Sequence, residues 1–361
     1  MTEKTLPSEG IYFNMPSQEY FALPYFSRSL AQLVRFSGKE AEHRISNPIK
    51  ATPAMDLGTA IHSMFLEPKD FAATYVKAPA FSDPQFHGKN IIQTVEDLKP
   101  YLEAFGLKKA GKKEELIASV RQYLDPSKVV IWDDVKAAFE RENVILGRKV
   151  LTDEDFTTLE EMRATLEADE ELPETIRNGR PEITIIWKDR ETGVMCKCRL
   201  DYAQPLAITD VKSYSIKDFN TPLEEQLEKK TIWSHYNFQF AIYKEALETI
   251  IAEINAGRAQ AYGEKDYEWL AEFLKNPRKQ FFILYVRTQA PYQMMALELQ
   301  QAEFDGAGEN TYFSVAQENW RTAIRKYAYF LKTGTWLGEN KIKVLHDSRV
   351  PNVMWQQSVS D

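Results

Sequence analysis

Three side chains near the middle of this 361-residue chain have types and spacing suited to metal-assisted chemistry: Asp201, Asp210 and Lys212. Asp210 and Lys212 sit two residues apart in a β-rich run, so on a strand their side chains share one face. Asp201 ends the preceding β-rich run, and Pro205 lies in the connection between them. If the runs pair as a hairpin, two carboxylates and an ammonium meet at one sheet edge. Two carboxylates can hold a hard divalent cation such as Mg²⁺. Such an ion polarises a phosphoryl oxygen and acidifies a water. A lysine beside it orients that water or stabilises the developing negative charge. This is equipment for phosphodiester hydrolysis. Standing alone, an Asp-x-Lys triplet is equally an exposed ion pair at a strand end. Its company adds weight. Glu182 begins the first run of the cluster, His62 lies on an otherwise apolar helix, and Gln239 and Tyr243 sit at i and i+4 on one helix face. Each has a plain structural reading as well: a satisfied core histidine, a strand-edge charge, a helix face packing on a sheet.

The elements that must position these groups follow from periodicity. Leu57, Ile61, Met64 and Phe65 repeat at helical spacing in a segment from Met55 to Leu66, closed by Pro68. An earlier helical pattern runs from Ser27 to Phe36, and residues 78–92, with Pro79, Pro84 and Gly88, read as a linker. Asp153 to Glu171 reads as an acidic helix. The period then changes. Ile183 to Trp187, Met195 to Tyr202 and Ala207 to Val211 read as strands, with a turn at Lys188 to Gly193. One long helix is expected from Trp233 to Asn255, a second strand pair at Phe281 to Arg287 and Met294 to Leu299, and a late helix from Glu318 to Lys332. The aromatics Trp269, Trp320, Trp336 and Trp355 are either core or a binding surface. The expected fold class is α/β, a mixed central sheet flanked by helices.

A different unit spans Thr94 to Leu124. It reads as two short helices around Gly106 to Lys113, with Leu98, Leu102 and Phe105 on one and Leu116, Ile117, Val120 and Leu124 on the other. Thr94 is a candidate N-cap with Asp97 at the third helical position, and Pro100 falls inside the first helix. Lys108, Lys109, Lys112 and Lys113 cluster at the turn, where four ammonium groups and a helix N-terminus suit phosphate contacts without base readout. The alternative is a solvated helical hairpin.

Composition limits the rest. A net charge of −8 excludes coating nucleic acid by bulk charge but permits a local basic channel. Two cysteines, Cys196 and Cys198, allow no disulfide framework and no four-cysteine metal site, which points to a reducing cytosolic setting. No leader pattern and no run of about 18 apolar residues is seen, so the expectation is a soluble protein with no membrane role.

The order His62, Glu182, Asp201, Asp210-Val211-Lys212, Gln239-x-x-x-Tyr243 resembles the PD-(D/E)XK nuclease superfamily. Its RecE-like branch, the exodeoxyribonuclease VIII type of prophages, is the nearer match, with lambda exonuclease more distant. The likeness is carried by Gly58 to Pro68, Glu182 with Trp187 and Thr192-Gly193, Arg199-Leu200-Asp201, Ile208 to Ser213 and Gln239 to Tyr243, and it spans most of residues 20–250. Leu200 departs from the family's frequent proline. The resemblance implies a restriction-endonuclease-like core. It makes Asp201 and Asp210 metal-binding carboxylates, His62 a further ligand, Lys212 the catalytic lysine, and places Glu182 at or behind the metal. Gln239 and Tyr243 would brace the lysine and contact the DNA backbone, and Ser27-Arg28-Ser29 would lie where the DNA end is held. Residues 91–127 resemble a SAP motif, a DNA-binding helical module, inserted into a discontinuous nuclease domain at 1–90 and 128–361. The implied activity is Mg²⁺- or Mn²⁺-dependent 5′→3′ exonuclease action on double-stranded DNA ends. It would serve single-strand annealing recombination with an annealing protein as partner, as a ring-shaped homo-oligomer in the cytoplasm of a bacterium or phage-infected cell. An endonuclease of the same superfamily and a non-catalytic DNA-binding scaffold on a decayed nuclease fold are the alternatives; the cysteine count disfavours a Cas4-like iron–sulfur enzyme.

Overall fold

The computed structural model describes residues 6–47, 53–299 and 312–338. Among them, seven strands form one mixed sheet: β1 (Gly10–Tyr12), β2 (Arg180–Lys188), β3 (Met195–Ala203), β4 (Ala207–Tyr214), β5 (Gln260–Tyr262), β6 (Gln280–Arg287) and β7 (Met294–Glu298). Their order is β7-β6-β4-β3-β2-β1-β5. Strands β1 to β4 and β6 with β7 pair antiparallel, while β6 lies parallel to β4 and β5 parallel to β1. The helices that matter for the site are α1 (Arg28–Phe36), α2 (Pro53–Leu66), α3 (Val95–Ala104), α4 (Lys113–Val120), α5 (Asp153–Glu167), α6 (Leu223–Trp233), α7 (Tyr236–Asn255) and α8 (Tyr312–Thr333).

The sheet is covered on both sides because both of its faces are apolar. On one face Ile183, Ile185 and Trp187 of β2 and Ile283 and Tyr285 of β6 pack with Phe238, Ile242 and Ile250 of α7 and Trp320 and Ile324 of α8. On the other, Val211 of β4 and Leu284 and Val286 of β6 pack with Ile61, Met64 and Phe65 of α2 and Leu159, Met162 and Leu166 of α5. The result is a helix–sheet–helix sandwich in the α/β class. Trp320 is fully buried, Trp269 and Trp336 pack at the edge of the same core, and Trp355 lies outside the described residues. Both cysteines are free and buried in that core. No helix among the described residues is long and apolar enough to cross a membrane.

Three expectations are corrected. The segment at residues 78–92 is not a linker: Phe86 is buried, and Asn90–Ile92 forms a strand parallel to Val129–Ile131. The helix expected from Trp233 to Asn255 begins three residues later, as α7 at Tyr236, because His235 takes a left-handed conformation at φ 53; Trp233 instead ends α6, a helix that was not expected. Strands β1 and β5 were not expected; three residues carry too little alternation to be read.

Helices α3 and α4 have their own small core of Leu98, Leu102, Leu116, Ile117 and Val120, closed by Ile92 and Ile131 of that strand pair. Thr94 and Asp97 form the reciprocal cap expected at the start of α3: Asp97 N donates to Thr94 Oγ1 at 3.3 Å and Thr94 N to Asp97 Oδ2 at 2.7 Å. Pro100 is accommodated inside α3.

Candidate active site

Strands β3 and β4 are bridged only close to their turn, at Tyr202↔Thr209 and Ala203↔Ile208. Continuing that register sets Asp201 across from Asp210. There the strands part: Val211 N donates to Asp201 Oδ2 at 3.1 Å instead of to a carbonyl of β3. On the other side of β3, the pairs Pro181↔Tyr202 and Ile183↔Leu200 leave Glu182 opposite Asp201. Glu182, Asp201 and Asp210 therefore stand in one row across three neighbouring strands.

The row is also where the sheet is bent. Glu182 has φ 53 inside a strand, a conformation that costs a non-glycine residue about 1–3 kcal/mol and persists only where its surroundings impose it. On β3, Leu200 packs in the main core but Tyr202, two residues on, packs in the core of the opposite face. Strict alternation would put both on the same side. Around this break Glu182 and Asp201 turn toward a common point beneath α2, with Asp210 next to Asp201.

Helix α2 brings His62 to that point. Its Nδ1 lies 3.6 Å from Asp201 Oδ2, and one ligand atom each from His62, Glu182 and Asp201 lie within 4.8 Å of one another. Lys212 closes the opposite side: its Nζ contacts Asp210 Oδ2 and lies 4.0 Å from Asp201 Oδ2. Helix α7 contributes Gln239, whose Nε2 donates to Asp210 Oδ1 at 2.5 Å and to the Tyr243 hydroxyl at 2.5 Å. The Tyr243 hydroxyl in turn donates to the Arg199 carbonyl at 2.8 Å. Gln239 thus bonds to Asp210, and the buried Tyr243 hydroxyl donates to the protein's own backbone.

The electrostatics reflect carboxylates placed opposite one another, an arrangement that is destabilising without a cation. Burial, then the proximity of Asp201, pushes the Asp210 carboxyl up to about 6. Burial also works to raise Asp201, but His62 and Lys212 outweigh it and hold Asp201 below its ordinary value. Burial pushes Glu182 up to about 7, partly offset by Arg199, whose Nε lies 2.5 Å from Glu182 Oε2. Burial alone would discharge Lys212, yet Asp210 and Asp201 keep its ammonium protonated above the usual lysine range.

This donor set fits a divalent cation. One imidazole nitrogen and carboxylate oxygens converge within bonding reach of a single ion, and facing carboxylates need the positive charge that an ion supplies. His62, Glu182 and Asp201 are the residues that would hold it, with Asp210 beside them, its two oxygens held by Gln239 and Lys212.

Beside the metal cluster is a cavity of about 150 Å³, lined by Arg28, Ser29, Arg199, Asp201, Gln239 and Tyr20 among others. Arg28 and Ser29, expected near a bound DNA end, therefore border the site. Ser27 is the N-cap of α1 and makes no side-chain cap bond. Arg199 had no expected role of its own. The structure shows it anchored by Met15 O at 3.0 Å and Ser17 Oγ at 3.2 Å, aiming its guanidinium at Glu182. Its place two residues before Asp201 on one strand was the available signal. The four lysines at the turn between α3 and α4 are not part of this cluster. Lys109 pairs with Glu103 at 3.0 Å and Lys113 with Asp133 at 2.6 Å, while Lys108 and Lys112 are exposed.

Residues 29–261 match the model of a PDDEXK-like domain of unknown function (DUF3799). No curated protein matches the chain. Among solved structures it is similar to a chain from Eubacterium rectale named a “Putative exonuclease”, at 12% identity and a TM-score of 0.46, covering 97% of this chain and 100% of that one.

Proposed function

The chain belongs to the PDDEXK-like family of that description, and from this premise we propose that it is a metal-dependent 5′→3′ exodeoxyribonuclease acting on double-stranded DNA ends. The observation that carries the reading is the convergence of His62, Glu182, Asp201, Asp210 and Lys212 from two faces of one sheet. Direction of digestion and the role in single-strand annealing recombination rest on the RecE-like motif order, as do an annealing-protein partner and a ring-shaped homo-oligomer.

When bound, Mg²⁺ or Mn²⁺ would polarise the scissile phosphoryl group and make a water acidic enough to attack it. The chain's own contributions are positional and electrostatic. Asp210 is fixed between Gln239 and Lys212, so its carboxylate is held against the cluster and away from solvent. Lys212, held protonated by the two aspartates, presents a permanent positive charge where negative charge develops on the phosphate. Arg199 keeps Glu182 in place despite its strained backbone. Arg28, half-buried beside the cavity, is available to a phosphate oxygen.

The direct test compares linear and circular duplex DNA of one sequence, with Mg²⁺ or Mn²⁺ and with EDTA. Metal-dependent loss of the linear form alone, releasing nucleotides from 5′ ends, is expected. Cleavage of circles would instead make the protein an endonuclease, and binding without cleavage a scaffold.

For residues 91–127 we propose a sequence-independent hold on duplex DNA through Lys108 and Lys112, the two turn lysines with no carboxylate partner among the described residues. A Lys108→Glu/Lys112→Glu protein should bind duplex several-fold more weakly at low salt. The slope of log affinity against log salt should flatten by about 2. An unchanged slope would remove the insertion from the DNA path.

A further inference from the structure

Two aromatic side chains on and before α6 are left exposed by the fold. Trp233, the last residue of α6, is 74% exposed, and Phe219, in the loop between β4 and α6, is 80% exposed. Trp233 makes no ring–ring contact among the described residues, although large aromatics are ordinarily the first to be buried.

Their location is tied to the catalytic strand. Lys230 precedes Trp233 by three residues, so both occupy one side of α6. The Lys230 ammonium donates to the Ser213 carbonyl at 3.0 Å, one residue after Lys212. One turn earlier on the same side, Gln226 donates to the carbonyls of Asp218 at 2.8 Å and Thr221 at 2.7 Å, which fixes the loop bearing Phe219 against the helix. On the other flank, Ser234 O accepts from Arg28 Nη2 at 3.5 Å. The Tyr236 ring lies 5.4 Å from Lys212 Nζ and 5.9 Å from the Arg28 guanidinium carbon. Trp233 therefore stands at the rim of the site, within three residues of groups that touch Lys212 and Arg28.

Exposed rings interleaved with fixed cations suit one kind of occupant. A nucleic-acid strand alternates flat bases with phosphates, and such a surface can take both at once. Lys212, Lys230 and Arg28 provide the charge for phosphates, and the nearby Lys229 is already paired with Glu225 at 2.6 Å. We propose that Trp233 stacks on an unpaired base of the strand whose phosphate occupies the metal site. This rests on the nuclease reading and deepens it: the ring-bearing rim selects single-stranded character at the cleaved end.

The test uses the full chain with Ca²⁺ in place of the catalytic ion and a labelled 12-nucleotide single strand, read by anisotropy. Trp233→Ala should weaken binding about tenfold, and Trp233→Phe should retain most of the affinity. A 12-nucleotide strand with abasic positions should bind the unmodified protein as weakly as the intact strand binds Trp233→Ala. With Mn²⁺, Trp233→Ala should raise KM for DNA and leave kcat within about twofold. Because the side chain is exposed, the melting temperature should not move. Equal affinity of Trp233→Ala and the unmodified protein, or equal affinity for intact and abasic strands, overturns the stacking role. If the protein cleaves DNA while either equality holds, only the stacking role falls. If it binds through Trp233 without cleaving, the nuclease reading falls and the stacking role stands. A protein that neither binds nor cleaves DNA sinks both.

Discussion

An Asp210→Asn protein is expected to lose metal-dependent DNA cleavage by about 10³-fold or more and yet be at least as stable as the unmodified chain in EDTA. The two halves have one cause. Asp210 is almost completely buried, faces Asp201 across the parted hairpin, and is held by Gln239 at 2.5 Å. An amide is nearly the same shape and still accepts from Gln239 through its own oxygen. It cannot supply a negative ligand to a hard cation, so activity goes. It also relieves the burial of one charge and its repulsion by Asp201, which together outweigh the attraction to Lys212 that is lost, so folding does not suffer. The sign follows from the direction of the shift. The folded-state pKa of Asp210 is raised from 3.8 to about 6. Ionisation is therefore disfavoured in the fold, and the carboxylate's penalty grows as pH rises through that interval. The stability advantage of the amide should be small near pH 4 and fully developed above pH 6, measured as the difference in melting temperature without metal. Mn²⁺ should raise the melting temperature of the unmodified protein more than that of the variant. Cleavage at near-normal rate by Asp210→Asn would refute the metal-site assignment.

Lys212→Ala should behave oppositely in stability and alike in activity. Cleavage should fall by about 10²–10³-fold, because the one ammonium aimed at the cluster is removed. Here the buried carboxylates lose their counter-charge: Lys212 contacts Asp210 and lies 4.0 Å from Asp201. Removing one partner of such an arrangement costs about 3 kcal/mol. The expected observation is a lower melting temperature in EDTA that is substantially recovered by Mn²⁺, since an added cation replaces the missing one. A Lys212→Ala protein that melts like the unmodified chain in EDTA would show that the ammonium does not neutralise the aspartates. One that still cleaves would show that it has no catalytic role.

These opposite stabilities follow from position in the row and not from residue type. Aspartate and lysine two residues apart on a strand are an ordinary ion pair by sequence. What makes one destabilising and the other stabilising is the second carboxylate on β3, which sets two negative charges against a single ammonium.

Several features were legible in advance because they depend on local periodicity. The three central strands, the apolar face of α2 that carries His62, the late helix and the reciprocal cap of Thr94 and Asp97 each follow from residues within one or two turns of each other. The order His62, Glu182, Asp201, Asp210, Lys212, Gln239, Tyr243 was legible too, because it is a linear pattern. Short strands such as Gly10–Tyr12 were not, since three residues hold no readable alternation. The break at His235 was hidden because α6 and α7 are both helical and nothing in the composition of Ser234-His235 demands a left-handed residue.

By itself, then, the sequence determined the chemical inventory and the elements that bear it: which carboxylates, imidazole and ammonium are available, and that a mixed sheet lies between helices. Only the tertiary structure decided their geometry. The parting of β3 from β4, the left-handed Glu182 and the switch of facing between Leu200 and Tyr202 arise where three strands and α2 meet. So does the assignment of Gln239 to Asp210, and the placing of Arg199 on Glu182. Side-chain alternation is a property of one strand and can be read along the chain; convergence of charges from several strands depends on register and bend, which are set by packing between segments far apart in sequence.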